Sequence, residues 1–575
     1  MAEADAVGLD YAIETASVTD AVTCQLFDLW YTGMCGACLH AKYLKPVSDE
    51  PVPLVLQFHG YPGASRSWFE QASFAGMGMA LIALDCPGQG GPSEDIGGFE
   101  GTTVAGHIVA GIDGDPANLY YVRLHQDIRI LCRIVRELEG IDLARVFVNG
   151  ASQGGGLGIA TCALNSELVN RAAILYPFLS DFRLVWDLDA DDIAYEGLRY
   201  WSRWFDEDST RIDEAYAKLA YFDSKNFAPM VKCPVLFGTG TADTVCPPAT
   251  QFAVYNNLTC EKRHEFFEGF GHEEIQDFDD LIIPFSAREG RLMSKCESNV
   301  NELIVSDLVG IPGTVSSRLA DFRDWRGDAS ADVSELEIAA SDLEICGPSI
   351  TAIDFANPYA RYSEVSFELG GDVVHARLIE PAGRARASEL VPLCLMFHDI
   401  DRPVRGWHHM TRFAAMGYAV LALDDEAIGP SDLRQGITSP AFVRRVRWGC
   451  ALAEVARNLD GMDPDRIFAW GEGLGGGVAL AVSALDERGL ACTAVANPLS
   501  GGLEVLSSRV RGSVLMGTSL MDTVSDPKDQ FAVFNGLECD RRHIIYAKYA
   551  HERINAFENE VVDFFNQTFY SCSLA

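Results

Sequence analysis

A serine, an aspartate and a histidine occur in an order that is typical of nucleophilic catalysis. Ser152 is the apex of the pentapeptide GASQG at residues 150–154, directly after the strand-like run RVFVN and directly before a helix-like stretch. Such a turn is tight, so the neighbours of the serine must be small. A serine hydroxyl needs a base to take its proton and a carboxylate to orient that base, and Asp243 and His272 follow in this order. The three residues predict acyl transfer through a serine nucleophile.

Two backbone amides are candidates for binding the negative charge that develops in such a reaction. The N–H of Gln153 follows the nucleophile directly. The second donor should come from the loop after an earlier strand, and FHGYPG at residues 58–63 fits, with the N–H of Tyr61 as the donor. Gly60 and Gly63 would let this loop turn tightly towards the serine.

The chain repeats these motifs, which predicts a tandem duplication. Residues 238–273 and 517–552 are identical at 17 of 36 positions without a gap. RVFVNGASQGGG pairs with RIFAWGEGLGGG, and VPLVLQFHGYPGASRSW pairs with VPLCLMFHDIDRPVRGW.

The second copy keeps only part of the candidate site. Asp522 and His551 are present, but the apex residue is Gly473, and Asp399 replaces the first glycine of the loop that should supply an amide donor. The second copy is also 42 residues shorter between the turn and the aspartate. The missing segment corresponds to residues 187–222 and their flanks, which we interpret as a helical cap over the cleft. We expect the second site to be degenerate and inactive.

The elements that position these residues alternate along each copy. Short continuous apolar runs such as PLVLQF, MALIALD and CPVLFGT are separated by amphipathic helical stretches. This pattern favours a mostly parallel sheet covered by helices on both faces, with the site at the carboxyl ends of the strands. We predict an α/β fold with a catalytic domain at residues 1–295, an acidic linker or connector at 296–355 and a second, degenerate domain at 356–575.

Composition and charge limit the classes of function. The chain has 575 residues, 48% of them hydrophobic, and a formal charge of −37. This charge disfavours nucleic acid and anionic membranes as partners, since both would be repelled. The acidic start and the lack of a long apolar run predict a cytoplasmic protein with reduced cysteines. Cys35 and Cys38 have redox-like or zinc-like spacing, but we interpret them as two packed thiols on an extended strand.

Several motifs of the first copy resemble the acetyl xylan esterase and cephalosporin-C deacetylase family of serine esterases, which have the α/β-hydrolase fold. They are FHGYPG, LDCPGQGG, GASQGG, YPFLSDFR, DTVCPP and GHE, within residues 20–285. The resemblance implies Ser152, Asp243 and His272 as the triad and Tyr61 and Gln153 as the oxyanion donors. It also implies removal of acetyl groups from small sugar esters such as acetylated xylo-oligosaccharides, with cephalosporin C as a further candidate. Neither a metal nor another cofactor is expected.

Other functions stay open on the residues alone. A peptidase or another carboxylesterase of the same fold would use the same triad, although related peptidases carry a large β-propeller for which the first 50 residues are too short. A nonenzymatic binding or scaffold protein is a further alternative. The duplication also suggests an internal pseudo-dimer, in which the second copy takes the place of a subunit, with further self-association open.

Overall fold

In a computed structural model, the chain divides into two units. This structure describes residues 1–17, 23–97, 106–190, 193–287, 333–341, 343–383, 390–400, 404–425 and 436–569. Unit 1 comprises Met1–Val18, Gln25–Arg66 and Gly78–Ser298, and unit 2 comprises Thr19–Cys24, Ser67–Met77 and Asn299–Ala575. Of the predicted connector, residues 296–332 and 342 lie outside the described residues, and Ile345–Ile353 is a strand of unit 2. The predicted domain limits stay a prediction.

The first sheet has nine strands. They are β1 (Tyr11–Thr15), β2 (Cys24–Thr32), β3 (Cys38–Pro46), β4 (Val52–Phe58), β5 (Ala80–Leu84), β6 (Ile141–Ala151), β7 (Arg171–Leu175), β8 (Val235–Gly240) and β9 (Lys262–Phe267). Their order is β1-β2-β3-β5-β4-β6-β7-β8-β9. All neighbouring pairs from β5 to β9 are parallel, whereas β1 pairs with β2, and β3 with β5, in antiparallel fashion.

Helices separate the parallel strands, as the sequence predicts. The helices up to residue 287 are α1 (Ala2–Ala6), α2 (Trp68–Gly76), α3 (Tyr120–Val135), α4 (Gln153–Leu164), α5 (Phe182–Asp187), α6 (Glu196–Phe205), α7 (Ile212–Leu219), α8 (Ser224–Phe227), α9 (Pro248–Asn257) and α10 (Gln276–Ala287). Every residue of β5 and β8 is buried. Because successive side chains of a strand point to opposite faces, both faces of the sheet are covered there.

The second sheet has the same strand order as the first. Its strands are β10 (Ile345–Ile353), β11 (Ala360–Leu369), β12 (Asp372–Pro381), β13 (Val391–Phe397), β14 (Ala419–Asp424), β15 (Met462–Glu472), β16 (Cys492–Ala496), β17 (Ser513–Ser519) and β18 (Arg541–Tyr546), in the order β10-β11-β12-β14-β13-β15-β16-β17-β18. The helices are α11 (Ser334–Ser341), α12 (Trp407–Ala415), α13 (Pro440–Arg457), α14 (Gly473–Leu485), α15 (Pro527–Gly536) and α16 (Asn555–Phe569). The predicted fold class, two α/β domains with mostly parallel sheets, is confirmed.

Helix α2 lies in unit 2, although it connects two strands of the first sheet. Its Phe69 packs edge-to-face on Phe413 of α12, with ring centroids 4.9 Å apart. The carbonyl of Gly76 accepts a hydrogen bond from the side chain of Asn357 at 2.9 Å. A Cβ at position 76 would overlap the backbone of α12 at Thr411, so the two helices approach closely. Segments far apart in the sequence therefore share the core of unit 2.

The interpretation of Cys35 and Cys38 as packed thiols on one strand is wrong. Both side chains are exposed, and Cys35 has a φ of 57° in a 3₁₀ turn at Met34–Gly36. This turn joins β2 to β3, so the alternating sequence is a hairpin rather than a single strand. The described part of the chain contains no helix that is both long and apolar enough to span a bilayer.

Candidate active site

Ser152 lies at the sharp turn between β6 and α4. Its φ of 57° and ψ of −122° place it outside the regions that L-residues favour. A Cβ at Gly150 would overlap the backbone of Gly154, and a Cβ at Gly154 would overlap the carbonyl of Phe58 at the end of β4. The turn can form only because both positions are glycine. It holds the serine side chain at the carboxyl end of the sheet, as the pentapeptide predicts.

The structure brings Asp243 and His272 to this serine. Nε2 of His272 lies 2.9 Å from Oγ of Ser152, and its Nδ1 lies 2.9 Å from Oδ2 of Asp243. The aspartate follows β8 and the histidine follows β9, so two parallel strands deliver them to the same edge of the sheet. A chain of two hydrogen bonds thus connects a buried carboxylate to the serine hydroxyl.

Backbone amides fix the orientation of the Asp243 carboxylate. Its Oδ1 accepts hydrogen bonds from the N–H groups of Val245 at 2.9 Å and Cys246 at 2.8 Å. The residue is 3% exposed. Because Oδ1 is committed to the backbone, Oδ2 is the atom that receives the Nδ1 proton of the histidine. This arrangement leaves Nε2 of His272 without a proton and able to accept one from the serine.

The loop after β4 lies against the serine. A Cβ at Gly60 would lie 3.9 Å from Cβ of Ser152. Among the described residues, neither the N–H of Tyr61 nor that of Gln153 donates a hydrogen bond. Both N–H groups are therefore available to donate a hydrogen bond next to the serine. This geometry suits the predicted donor pair.

The side chain of His59 holds this loop in place. Its Nε2 accepts a hydrogen bond from the N–H of Cys86 at 3.0 Å, and its Nδ1 donates to the carbonyl of Gly60 at 2.8 Å. Burial lowers the pKa of His59, which keeps the ring neutral as this pattern requires. The side-chain amide of Gln153 supports the same loop. Its nitrogen and its oxygen each form a hydrogen bond of 2.9 Å with the side-chain amide of Gln89.

Sequence reasoning missed two residues that contact the triad. The ring of Tyr176 lies on that of His272, with centroids 4.6 Å apart, and its hydroxyl donates to the carbonyl of Glu273 at 2.7 Å. The thiol of Cys246 lies within hydrogen-bonding reach of Ser152. The available signals were the YPF motif, in which Tyr176 directly follows a strand, and the DTVCPP motif, in which Cys246 lies three residues after the predicted aspartate.

Asp243, Cys246 and His272 could also be considered as metal ligands, since their ligand atoms lie within 4.8 Å of one another. Thiol ligands bind metals as thiolates. Burial, followed by the charge of Asp243, raises the pKa of Cys246 well above its ordinary value. The carboxylate and Nδ1 of the histidine are already bonded to each other. These contacts fit a protonated thiol beside a triad better than a metal site.

The segment predicted as a cap contains two helices joined by turns. Helices α6 and α7 lie within it, and a 3₁₀ turn precedes α6. The ring of Tyr195 packs on that of Phe178 at 4.5 Å, and Phe178 stacks on Tyr61 at 6.0 Å. This segment therefore contacts Phe178, which in turn contacts Tyr61 of the loop after β4. In unit 2, a single 3₁₀ helix at Leu503–Arg509 lies between β16 and β17.

Unit 2 has a carboxylate at the place of the serine side chain. Gly473 has a φ of 51°, and a Cβ at this position would overlap the carboxylate of Asp399. Oδ2 of Asp399 lies 2.9 Å from Nε2 of His551, whose Nδ1 lies 2.7 Å from Oδ2 of Asp522. That the second site is inactive stays a prediction, and nothing in the local sequence indicates that the Asp399 carboxylate would occupy the position of the serine side chain.

The imidazole of His551 lies between two carboxylates. Burial lowers its pKa, but the charges and hydrogen bonds of Asp399 and Asp522 outweigh this effect and raise the pKa to about 10. The ring is therefore an imidazolium at neutral pH, with each N–H donating to one carboxylate. A protonated ring cannot accept a proton, so this histidine cannot act as a general base.

Comparisons with known proteins identify the family. The family model for acetyl xylan esterase (AXE1) matches residues 1–288, 321–501 and 502–568. The chain is 31% identical over 157 residues to acetyl esterase Axe7A of Xylanibacter ruminicola, covering 27% of this chain and 34% of that protein. It is 32% identical over 137 residues to quorum-quenching protein AidA of Acinetobacter baumannii, covering 23% of this chain and 44% of that protein. These matches span less than half of either relative.

Two solved structures are also similar. Acetyl xylan esterase 1 from Thermoanaerobacterium sp. JW/SL YS485 is 38% identical, with 49% of this chain and 88% of that chain covered and a TM-score of 0.48. The acetyl xylan esterase from Paenibacillus sp. R4 is 30% identical, with 50% and 90% covered and a TM-score of 0.48. The resemblance found in the sequence motifs is confirmed, and this chain belongs to the acetyl xylan esterase (AXE1) family of carboxylic ester hydrolases.

Proposed function

We propose that unit 1 is a serine esterase that removes acetyl and other short acyl groups from sugar esters. The observation that carries the proposal is the hydrogen-bonded series Ser152, His272 and Asp243, with distances of 2.9 Å and 2.9 Å. It lies beside two amides that donate no hydrogen bond among the described residues. Family membership supports the ester as the bond that is cleaved.

The geometry supports a two-step reaction. Oγ of Ser152 attacks the ester carbonyl while Nε2 of His272 takes its proton, and the N–H groups of Tyr61 and Gln153 bind the oxyanion. The histidine then returns the proton to the departing alcohol. Water attacks the acyl-enzyme with the same histidine as base, which releases the carboxylate and regenerates the serine. Asp243 holds the ring and stabilises its charge.

The length of the preferred acyl chain and the nature of the leaving group distinguish a deacetylase from another carboxylesterase or a peptidase. Acetylated xylo-oligosaccharides are the substrates we expect, with cephalosporin C as a further candidate. The experiment compares these with p-nitrophenyl esters of increasing acyl length and with peptide substrates on the full chain. Acetyl should be preferred. A preference for acyl chains of about eight carbons or more, or for peptides, would overturn the deacetylase assignment.

The serine itself is tested by Ser152→Ala. Removing one hydroxyl adds no bulk, so the fold should be kept while ester turnover falls by about 10⁴-fold or more. Ser48→Ala, in the loop between β3 and β4, is a control that should leave turnover unchanged. An unchanged rate for Ser152→Ala would remove this residue from the reaction and favour a nonenzymatic protein.

Unit 2 is proposed as a degenerate, inactive copy that takes the place of a second subunit within the chain. The repeated strand order and the repeated Asp and His positions support a duplication. The protonated His551 and the missing serine support inactivity. Ester turnover should therefore come from unit 1 alone.

A further inference from the structure

The amides of unit 2 that correspond to the oxyanion donors of unit 1 are occupied. Ile400 follows β13 at the same distance as Tyr61 follows β4, and Leu474 follows the apex Gly473 as Gln153 follows Ser152. The N–H of Ile400 donates to Oδ1 of Asp399 at 2.8 Å, and that of Leu474 donates to the same oxygen at 2.9 Å. One carboxylate oxygen therefore binds both amides.

The second oxygen of Asp399 faces the histidine. Its Oδ2 lies 2.9 Å from Nε2 of His551, which carries a proton for the reasons given above. Two amides and an imidazolium thus hold the two oxygens of one carboxylate. The same arrangement would bind the carboxylate product of ester hydrolysis, with one oxygen on the amides and the other on the histidine.

We propose that unit 2 retains a binding site for a small carboxylate, and that the chain fills this site itself with Asp399. The side chain of aspartate has the same heavy atoms as acetate. Replacing it with glycine would leave a cavity of the shape of acetate, lined by the two amides and His551. Unit 1 has Gly60 at the corresponding position, so the loop after the strand accepts glycine. In the native chain, Asp399 keeps the site closed to both esters and free acetate.

The ligand class follows from the charges of the site. Asp522 lies 2.7 Å from the other nitrogen of His551 and stays in place when Asp399 is removed, so the ring keeps one anionic partner. A bound monocarboxylate would replace the negative charge and the two hydrogen-bonded oxygens that are lost with the Asp399 side chain. A dianion would add a charge next to Asp522, and an alcohol would offer one oxygen only. A short monocarboxylate is therefore the favoured ligand.

The test measures acetate binding to the full chain, without turnover. Equilibrium dialysis with labelled acetate should give one more site per chain for Asp399→Gly than for the wild type, with a Kd in the millimolar range because the ligand is small. Acetate bound by unit 1 is common to all variants and cancels in this difference. The inference does not rest on the esterase proposal, since binding can fail or succeed whatever unit 1 hydrolyses.

Two variants make the result specific. Asp399→Asn fills the same space without opening a cavity, so it should gain no acetate site. His551→Gln combined with Asp399→Gly removes the imidazolium and should weaken acetate binding at least tenfold. Equal binding by Asp399→Asn and Asp399→Gly, or no additional acetate with folded Asp399→Gly, would overturn the proposal.

A measurement on the wild-type chain covers the case in which Asp399→Gly does not fold. Histidine labelled with ¹⁵N should show, at pH 8.5, where ordinary imidazoles are neutral, a ring of His551 with both nitrogens protonated; His40, which also lies between two carboxylates, is a separate signal. The signal should be absent from His551→Gln, which assigns it. It should also titrate at lower pH in Asp399→Asn. A neutral His551 at pH 8.5 in the wild type would contradict the ion pair and the proposal with it.

Discussion

At the scale of single residues, the same Asp–His pair has a different neighbour in each unit. In unit 1, Nε2 of His272 faces a hydroxyl, whereas in unit 2 Nε2 of His551 faces a carboxylate. A hydroxyl can give a proton to the ring, but a carboxylate stabilises the ring with its proton bound. In the proposed mechanism, the group next to the imidazole therefore separates a general base from a ring that is protonated at neutral pH.

The orientation of Asp243 allows a sharp test of its role. Asp243→Asn should keep the two backbone hydrogen bonds through its carbonyl oxygen and present an NH₂ group to His272. Nδ1 would then have to accept, which places the ring proton on Nε2 and prevents it from taking the serine proton. We expect p-nitrophenyl acetate turnover to fall by about 10⁴-fold with the fold unchanged. The matched variant Asp522→Asn in unit 2 should leave turnover at the wild-type level, and equal losses in both would contradict the assignment of activity to unit 1.

At the scale of elements, the strand–turn–helix unit is kept in both sheets. Cβ atoms at Gly471 and Gly475 would overlap backbone atoms, as they would at Gly150 and Gly154 in unit 1. The turn is needed to bring the helix back onto the sheet, whether or not it carries a nucleophile. What differs is the neighbouring loop, which in unit 2 places Asp399 over the apex.

We expect Gly473→Ser to fail to revive unit 2 in a Ser152→Ala background. The new side chain would overlap the Asp399 carboxylate, and the amides that should bind the oxyanion are already occupied. Forcing a side chain into this space should cost about 1–3 kcal/mol of unfolding free energy, and Gly473→Ala should cost about as much. Urea denaturation and p-nitrophenyl acetate turnover measure both effects. Recovery of turnover to within about tenfold of wild type would show that unit 2 kept a working site.

At the scale of the whole molecule, the charge cluster of unit 2 makes stability depend on pH. The pKa of His551 is raised from 6.5 to about 10 on folding, so its stabilising contribution is complete below about pH 6.5 and is lost as the pH rises through 10. The charged groups that face the ring are Asp399 and Asp522. The wild type should be more stable than Asp399→Asn at pH 7, and the difference between their urea midpoints should shrink towards pH 10. A difference that is constant or grows with pH would contradict the raised pKa.

The placement of α2 predicts how a truncated chain behaves. Phe69 and Phe74 of α2 are buried in unit 2, against Phe413 and His408. A chain that ends at residue 295 would expose these side chains, each worth about 1.5–3 kcal/mol of burial. We expect it to be less stable and less active than the full chain, or to self-associate, in size-exclusion and turnover measurements. Equal activity of a stable, monomeric truncated chain would count against the pseudo-dimer proposal.

The sequence by itself determined the local features, because each depends on residues that are close in the chain. Apolar runs defined β4, β5 and β8, and the GASQG pentapeptide defined the turn at Ser152, since strand and turn formation follow from residue type and spacing. The order of Ser152, Asp243 and His272 was readable because parallel strands deliver their ends to one edge. The repeat also indicated that unit 2 had lost its serine.

Only the tertiary structure decided which side chains meet across long separations. Asp399 and His551 are 152 residues apart, and nothing in their local sequences indicates that they form an ion pair. Likewise, the local sequence does not indicate that Tyr176 contacts His272 or that α2 belongs to unit 2. The turn at Cys35 was missed because its residues also fit an extended strand. Contacts of this kind depend on how sheets and helices pack, and a single sequence carries no direct record of that packing.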